Sequence, residues 1–156
     1  MDYISRICKE ECSRYIRSLI KEAELKKENR KVILAIKPEY VEKIFNQTKK
    51  YEYRKVMFNP DYKTVYVYAS KPVSRIVGSF TVGNLLEGTP SSVWRKTSKE
   101  GGVTRQHFNE YFKDHDKAYA IQIKKPKLFK RPIEPESVIK DFRAPQNFCY
   151  TEVVLR

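Results

Sequence analysis

The apolar residues near the start of the chain recur with the period of a helix. They lie three, four or seven positions apart while charged residues fill the positions between them, a pattern typical of an amphipathic helix. The residues of this apolar stripe are Ile4, Ile7, Cys8, Tyr15, Ile16, Leu19 and Ala23. The pattern predicts one helix over residues 2–28, and the basic run after Leu25 suits its end. We expect residues 1–31 to form an N-terminal extension packed on the body.

After residue 31 the pattern changes to short apolar or alternating runs, which favour strands. Strands are predicted over residues 32–36, 51–56, 65–69, 75–82 and 118–123, with Gly78 at a bulge. Short helices are predicted to begin near Pro38, Thr89, Thr104 and Pro135, since threonine and proline suit the first positions of a helix. The basic run over 124–132 predicts an irregular segment. This order predicts an α+β domain over residues 32–156, a small β-barrel with helical insertions.

The composition indicates a polyanionic partner. The formal net charge is +13, and the lysines and arginines are spread along the chain rather than gathered in one tail. Because each neutralised phosphate releases counterions, this balance favours nucleic acid; a membrane-binding surface and a plainly soluble basic surface are the alternatives. Several of the 11 tyrosines and 8 phenylalanines stand beside a cation, as in Lys50-Tyr51 and Tyr53-Arg54. Such pairs favour RNA or DNA over a membrane.

The first residues and the cysteines bear on location and on metal binding. The start Met1-Asp2-Tyr3 lacks an apolar signal region and no window is apolar enough to span a bilayer, so a cytoplasmic or nuclear protein is expected. Three cysteines in a reducing compartment predict no structural disulfide. Cys8 and Cys12 lie one helical turn apart, but only the distant His107 and His115 remain to complete a zinc site. Packing on a helix face is therefore expected, with no metal or cofactor.

Five segments of the body together resemble an ASCH domain, a family of the PUA-like superfamily of small β-barrels. The segments are Ile33–Pro38, Tyr40–Phe45, Gln47–Lys55, the strand pair Val65–Ser70 with Val77–Phe80, and Pro145–Tyr150. The resemblance covers about residues 32–150 and leaves the first helix outside. The central family motif reads Gly-x-Lys-x-x-Glu/Thr-x-Arg, which Lys49, Glu52 and Arg54 match, whereas Gln47 stands in place of the glycine.

The resemblance implies a cleft between the barrel and the helices, lined by the motif and holding a nucleotide or a short RNA stretch. On a continuous strand Lys49 and Arg54 would point to opposite faces, whereas Glu52 and Arg54 share one. Either Lys49 alone or the pair Glu52 and Arg54 then faces the cleft. A loop that turns the chain after Lys49 would bring all three together, and we favour the loop.

Further candidates lie at the ends of predicted elements. Lys37 precedes Pro38, where a helix N-terminus favours a phosphate, although a solvated strand end is as good an interpretation. Trp94 is expected to stack on a base or, as we favour, to plug a helix onto the barrel. The candidate nucleic-acid-binding residues are Lys37, Lys49, Lys50, Tyr51, Glu52, Arg54, Ser70, Lys71, Trp94 and Gln146.

Catalysis is the second hypothesis rather than the first. Some ASCH relatives are amidohydrolases of acetylated cytidine with a Lys, Thr and Glu set, and others are ribonucleases. Here Glu52 stands where those amidohydrolases have threonine, so the expected hydroxyl is absent. Lys49 and Glu52 are the catalytic candidates if burial shifts their pKa values, and neither histidine has a supporting motif. A nucleic-acid-binding module ranks first, a nucleoside or RNA hydrolase second, and a protein-interaction module acting through the N-terminal helix third.

Overall fold

The first helix, α1, spans Tyr3–Asn29, and large apolar side chains on its described part are uncovered. The structure, a computed structural model, describes the backbone of residues 3–156 and the side chains of residues 8–156. Large apolar side chains of α1 are between 46% and 66% exposed: Tyr15, Ile16, Leu19, Ile20 and Leu25. The expectation that the stripe packs on the body is therefore wrong for its members Tyr15, Ile16 and Leu19. Residue 2 and the side chains of Ile4 and Ile7 lie outside the described part.

The end of α1 meets the body through polar contacts. Lys27 Nζ lies 2.8 Å from an Asp61 carboxylate oxygen, and the Arg30 guanidinium donates to the Tyr62 hydroxyl at 3.2 Å. Exposed ion pairs of this kind contribute at most about 1 kcal/mol each. Within residues 3–156, every helix, α1 included, is too short or too polar to cross a membrane.

Six strands form one mixed sheet. Their bounds are β1 Lys31–Ile36, β2 Tyr51–Arg54, β3 Thr64–Ala69, β4 Arg75–Gly88, β5 Ala118–Ile133 and β6 Phe148–Thr151. The order across the sheet is β2-β5-β4-β3-β1-β6; β1 and β3 run parallel and the other neighbours antiparallel. The irregular segment predicted over 124–132 is instead part of β5, because β4 supplies pairing partners as far as Ile133.

Short helices connect the strands at the predicted places. Their bounds are α2 Pro38–Phe45, α3 Pro90–Thr97, α4 Arg105–Tyr111 and α5 Pro135–Val138, with a 3-10 turn at Ser98–Glu100. The side chain of Thr89 accepts from the Ser92 amide at 3.2 Å, and that of Thr104 from the His107 amide at 3.1 Å. These side chains satisfy amides that the first turn of a helix leaves free, so the predicted helix starts at Thr89 and Thr104 are confirmed.

The strands bury side chains on both faces of the sheet. Along β1, Val32, Leu34 and Ile36 belong to a cluster with α2, while Ile33 packs on the opposite face. A third cluster lies beneath α3 and α4. The register of β3 against β4 shifts beside Gly78, as predicted, and a Cβ at Gly78 would overlap the Phe45 ring. The missing side chain therefore lets α2 pack closely on the sheet.

The predicted barrel does not close by backbone pairing in the described residues. The strands β2 and β6 are the two ends of the sheet. The side chain of Arg54 crosses from β2 to the Ala35 carbonyl on β1 and to Asn147 just before β6. An open six-stranded sheet thus replaces the expected closed barrel, and Arg54 bridges its gap.

Candidate functional site

A cleft of about 780 Å³ lies where the sheet stays open. Its walls are the end of β1, strand β2, the helices α2 and α4, and the segment before β6. The lining residues that carry chemistry are Lys37, Tyr40, Lys49, Glu52, Arg54, Lys55, Ser70, His107, Tyr111, Gln146 and Asn147. The volume falls in the range of pockets that hold small ligands, of about 300–1,000 Å³.

A tight turn between α2 and β2 delivers Lys49 to the cleft. The Asn46 carboxamide oxygen accepts from the Thr48 amide at 3.0 Å, and the Lys49 amide donates back to the Lys43 carbonyl at 2.9 Å. Gln47 has a φ of 65°, in the left-handed region that the family's glycine would adopt freely. Because this turn precedes β2, Lys49 joins Glu52 and Arg54 on one cleft, and the favoured loop alternative is confirmed.

Lys49 is a buried cation, only 2% exposed. Its Nζ donates to the Gly101 carbonyl at 2.7 Å and lies 3.5 Å from a Glu52 carboxylate oxygen. The ammonium also sits 4.9 Å from the centre of the Tyr53 ring and 5.3 Å from that of Tyr40. Burial lowers the pKa of Lys49 from its ordinary value, and the negative Glu52 opposes part of that shift.

The loop Gly101-Gly102 covers Lys49. Gly102 has a φ of 68°, and a Cβ there would lie 2.6 Å from the Cβ of Lys49. Glycine therefore allows the loop to approach closely enough for the Gly101 carbonyl to accept the ammonium proton. The Lys43 ammonium holds the same loop from outside through the Gly102 carbonyl at 3.0 Å.

Arg54 completes a buried row of alternating charges. Its Nη2 lies 2.9 Å from a Glu52 carboxylate oxygen and donates to the Ala35 carbonyl at 2.7 Å. Its Nη1 donates to the Asn147 carboxamide oxygen at 2.7 Å. The Arg54 Nε is buried and has no hydrogen-bond partner among the described residues. With Lys49 protonated, two cations flank one carboxylate, which leaves one positive charge in excess.

Aromatic side chains form the helical wall. The Tyr40 hydroxyl and the His107 Nε2 lie 2.9 Å apart and join α2 to α4. The Lys55 ammonium sits 4.6 Å from the centre of the Tyr111 ring. Burial raises the pKa of both the Tyr40 and the Tyr111 phenol, so both stay neutral near pH 7. This wall thus places aromatic rings and hydrogen-bonding groups beside the buried charges.

Six of the ten residues predicted from the sequence line this cleft. Lys49, Glu52 and Arg54 lie in its interior, while Lys37, Ser70 and Gln146 line it nearer the rim. Lys37 is also the exposed residue that precedes Pro38 at the start of α2. The structure therefore groups residues from three distant parts of the chain.

Four candidates lie outside the cleft lining. Lys50 is exposed and pairs with Glu100 at 2.7 Å, and Lys71 is exposed beyond the end of β3. Tyr51 packs against the cluster beneath α3 and α4. Trp94 packs on Phe108, with ring centres 4.8 Å apart, so its favoured core role is confirmed. These four side chains are therefore absent from the cleft lining, and for Lys50, Tyr51 and Trp94 the local contacts named here account for it.

Sequence reasoning missed Tyr40, His107, Tyr111 and Asn147. Tyr40 lies within the Tyr40–Phe45 segment of the family resemblance without a role of its own, and neither histidine has a supporting motif. One signal was available: His107 precedes Tyr111 by four positions and so shares a face of the predicted helix. Asn147 directly follows Gln146, the candidate predicted from the sequence. The hydrogen bond from Arg54 to Asn147, which only the structure shows, distinguishes Asn147 from Gln146.

No group of three metal-ligating side chains lies close together in the part of the chain that the structure describes. The exposed Cys8 and Cys12 of α1 accordingly lack additional ligands there. The cleft chemistry is therefore built from cations, one carboxylate, phenols, an imidazole and amides.

The fold matches solved structures closely. The crystal structure of ASCH from Zymomonas mobilis superposes with a TM-score of 0.73 over 80% of this chain and 88% of that chain, at 21% identity. The chain has the fold of an ASCH domain. The resemblance seen in the sequence is thereby confirmed for the fold. No family model matches the sequence.

Curated relatives match the chain at low identity or over part of their length. An ASCH domain-containing ribonuclease of Zymomonas mobilis is 22% identical over 130 residues, which cover 79% of this chain and 85% of that protein. The large ribosomal subunit protein uL22 of Ureaplasma parvum is 31% identical over 86 residues, or 55% of this chain. The chain spans about a quarter, 27%, of the length of that uL22 protein.

Proposed function

We propose that this ASCH domain is a nucleic-acid-binding module whose cleft holds one nucleotide of a single-stranded RNA. The observation that carries the proposal is the buried row Lys49, Glu52 and Arg54, in which two cations face one carboxylate. Buried charge is unfavourable unless it is paired, so an excess buried cation favours an anionic ligand. A phosphate group supplies that charge and accepts several hydrogen bonds.

The rest of the cleft suits the nucleoside part of the same ligand. Tyr40, His107 and Tyr111 present ring faces on one wall, on which an unpaired base can stack. The amides of Gln146 and Asn147 stand on another wall and can bond to base edges. This combination supports a splayed nucleotide, plain or modified, rather than a paired duplex.

The likeness to the Zymomonas mobilis ribonuclease supports RNA as the nucleic acid. The formal net charge of +13 supports the same class of partner, since a basic surface gains affinity for phosphates by releasing their counterions.

Binding of nucleotides and of single-stranded RNA tests the proposal. We expect Arg54→Met to weaken RNA binding at least tenfold in fluorescence anisotropy, because a charge-assisted contact is lost. Arg75→Met is the matched control: Arg75 pairs with Glu134 at 3.5 Å outside the cleft, and its loss should change affinity less than twofold. Lys37→Gln tests the exposed rim without disturbing the buried row.

Two results would contradict the proposal. One is an absence of binding to RNA, DNA and mononucleotide panels at low salt by the folded protein. The other is an equal loss of affinity in the Arg54 and Arg75 variants, since that would assign binding to general surface charge. Circular dichroism establishes that each variant is folded before its affinity is compared.

RNA hydrolysis is the second candidate function, and it has its own observation. Lys49 has a lowered pKa beside Glu52, and His107 lies in the same cleft. Cleavage by the RNA 2′-hydroxyl needs a base to take its proton and an acid to protonate the leaving 5′-oxygen. The neutral amine of Lys49 or the carboxylate of Glu52 suits the first role, and His107 suits the second.

Turnover separates the two functions. A ribonuclease should shorten an end-labelled RNA, and an amidohydrolase should release acetate from acetylated cytidine. We expect either activity to disappear in Lys49→Met and to persist in Arg75→Met. Intact substrates after long incubation with abundant folded protein would remove the hydrolase hypothesis and leave the binding module.

A further inference from the structure

The second half of β5 forms an open edge of the sheet. Strand β2 pairs with β5 only over Tyr119–Gln122, and one further bond joins the Ile123 amide to the Lys50 carbonyl at 2.9 Å. Beyond this point β5 continues to Ile133 with β4 alone as its described neighbour. Its other edge therefore has no strand partner over residues 124–133 in the described part of the chain.

This edge carries five exposed cations, which we call the β5 basic tract: Lys124, Lys125, Lys127, Lys130 and Arg131. No acidic residue occurs between Ala118 and Ile133. None of the five forms an ion pair with another described residue. By contrast Lys117, just before β5, pairs with Glu87 at 2.7 Å. The tract is thus a run of like charges without counter-charges.

The strand beneath the tract is anchored. Phe129 is buried, with its ring centre 6.4 Å from that of Tyr66, and Ile133 packs on the same cluster. Lys127 pairs in register with Ser79 of β4, and Lys124 with Thr81. The cations therefore project from an anchored segment about 23 Å long between Lys124 and Arg131, at about 3.3 Å per residue.

Protection of a sheet edge against aggregation is the plain alternative, since lysines on edges commonly serve it. A few charges of either sign suffice for that purpose, whereas five unbalanced cations on one strand repel one another. Membrane binding is disfavoured as well, because Leu128 is the one large exposed apolar side chain within residues 124–133. A linear polyanion relieves the repulsion and matches the extended shape.

We propose that the β5 basic tract binds the phosphate backbone of the RNA strand whose nucleotide occupies the cleft. This inference rests on the proposed function and extends it. It adds a second contact that depends on the phosphate charge and not on the identity of the base. The tract begins beside Lys50, the neighbour of the buried Lys49, so both sites meet at the same loop. RNA longer than one nucleotide should therefore bind more tightly than a mononucleotide.

A triple variant tests the tract: Lys127→Gln, Lys130→Gln and Arg131→Gln. The matched control removes three exposed cations of α1, Arg14→Gln, Arg17→Gln and Lys21→Gln, with the same change in net charge. Affinity for a single-stranded RNA 12-mer and for a mononucleotide is measured by anisotropy and calorimetry over a range of salt. We expect the tract variant to lose at least tenfold in 12-mer affinity and the control less than twofold.

The salt dependence identifies the contact as phosphate binding. Each lost phosphate contact should reduce the magnitude of the slope of log affinity against log salt by about 0.7. Three lost contacts should therefore reduce it by about 2. Mononucleotide affinity should not change in the tract variant, whereas Arg54→Met should weaken binding of both the mononucleotide and the 12-mer. The unaltered protein could fail to bind a mononucleotide while the tract variant still loses 12-mer affinity. That result would contradict the proposed cleft function and leave the tract proposal standing.

Three outcomes would contradict the proposal that the β5 basic tract binds RNA. The first is an unchanged 12-mer affinity and slope in the triple variant. The second is aggregation of that variant while its folded fraction still binds RNA normally, which would assign the lysines to edge protection. The third is a loss of binding to phosphatidylserine vesicles with RNA binding unchanged, which would assign the tract to a membrane surface.

Discussion

The guanidinium of Arg54 donates to the backbone carbonyl of Ala35 at 2.7 Å, and this contact joins the two sides of the sheet's gap. Ala35 lies one residue beyond the last pair of the β1–β6 ladder, and its amide still donates to the Asn147 carbonyl at 2.9 Å. A side chain thus supplies the donor that a neighbouring strand would otherwise give. The space kept open beside it is the cleft.

Replacing Arg54 should destabilise the fold as well as the site. Arg54→Ala leaves the buried Glu52 with the ammonium of Lys49 as its remaining cation and removes the donor to Ala35. Loss of one partner of a buried ion pair costs about 3–5 kcal/mol. We expect the free energy of unfolding in urea to fall by about 3 kcal/mol.

Asn147→Ala is the control for that measurement. It removes one neutral acceptor of the same guanidinium, and we expect a loss of about 1 kcal/mol. An Arg54→Ala variant as stable as the unaltered protein would show that the buried row contributes nothing to folding.

The lowered pKa of Lys49 predicts a pH-dependent stability. The unfolded chain binds the Lys49 proton more tightly than the folded chain does. The free energy of unfolding therefore increases as the pH rises through this range. The gain begins at the lowered folded pKa and is complete above the ordinary value of 10.5. Below the folded pKa the buried charge imposes its full penalty.

Lys49→Met lacks this contribution. We expect the difference in unfolding free energy between the unaltered protein and Lys49→Met to shift in favour of the lysine as pH rises toward 10.5. Urea titrations at a series of alkaline pH values measure it. A difference that is constant over the series would mean that Lys49 titrates as in the unfolded chain.

Gln47 occupies a backbone conformation that suits glycine. Its φ of 65° costs a side-chain-bearing residue about 1–2 kcal/mol, partly offset by the greater freedom of glycine in the unfolded chain. We expect Gln47→Gly to raise the free energy of unfolding by about 0.5–1 kcal/mol. Gln47→Ala keeps the Cβ and should change it by less than 0.5 kcal/mol, roughly the scale of neutral surface substitutions. Equal effects of both substitutions would contradict the explanation.

The exposed stripe of α1 predicts that the body does not need the helix. Removal of residues 1–29 loses the Lys27–Asp61 pair, an exposed contact. We expect the unfolding free energy to fall by less than about 1 kcal/mol and RNA affinity to stay within threefold. A loss above 2 kcal/mol would show that the helix stabilises the body.

The same stripe suits a protein partner, the third hypothesis drawn from the sequence. If α1 recruits one, that protein should co-purify with the full chain and be absent when residues 1–29 are removed. Leu19→Glu and Ile20→Glu place charge on the stripe and should have the same effect, while Glu24→Gln on the helix should not. Equal recovery without the helix would dismiss the hypothesis.

The sequence by itself determined the helices, the strands β1 to β5, the helix starts at Thr89 and Thr104, and the motif Lys49, Glu52 and Arg54, whereas β6 was not predicted. These features depend on spacing and on neighbours within a few positions, which the order of residues records directly. The reach of β5 through its Lys-Pro run was not determined this way. Strand length there depends on β4, which pairs with residues some 50 positions distant.

The tertiary structure alone decided which side chains meet. Arg54 and Asn147 are 93 positions apart, and Tyr40 and His107 are 67 apart, so no local pattern could join them. It also decided that the sheet stays open and that Trp94 faces the core. The reason is physical: a periodic pattern states which face of an element is apolar, whereas packing fixes which distant element covers that face.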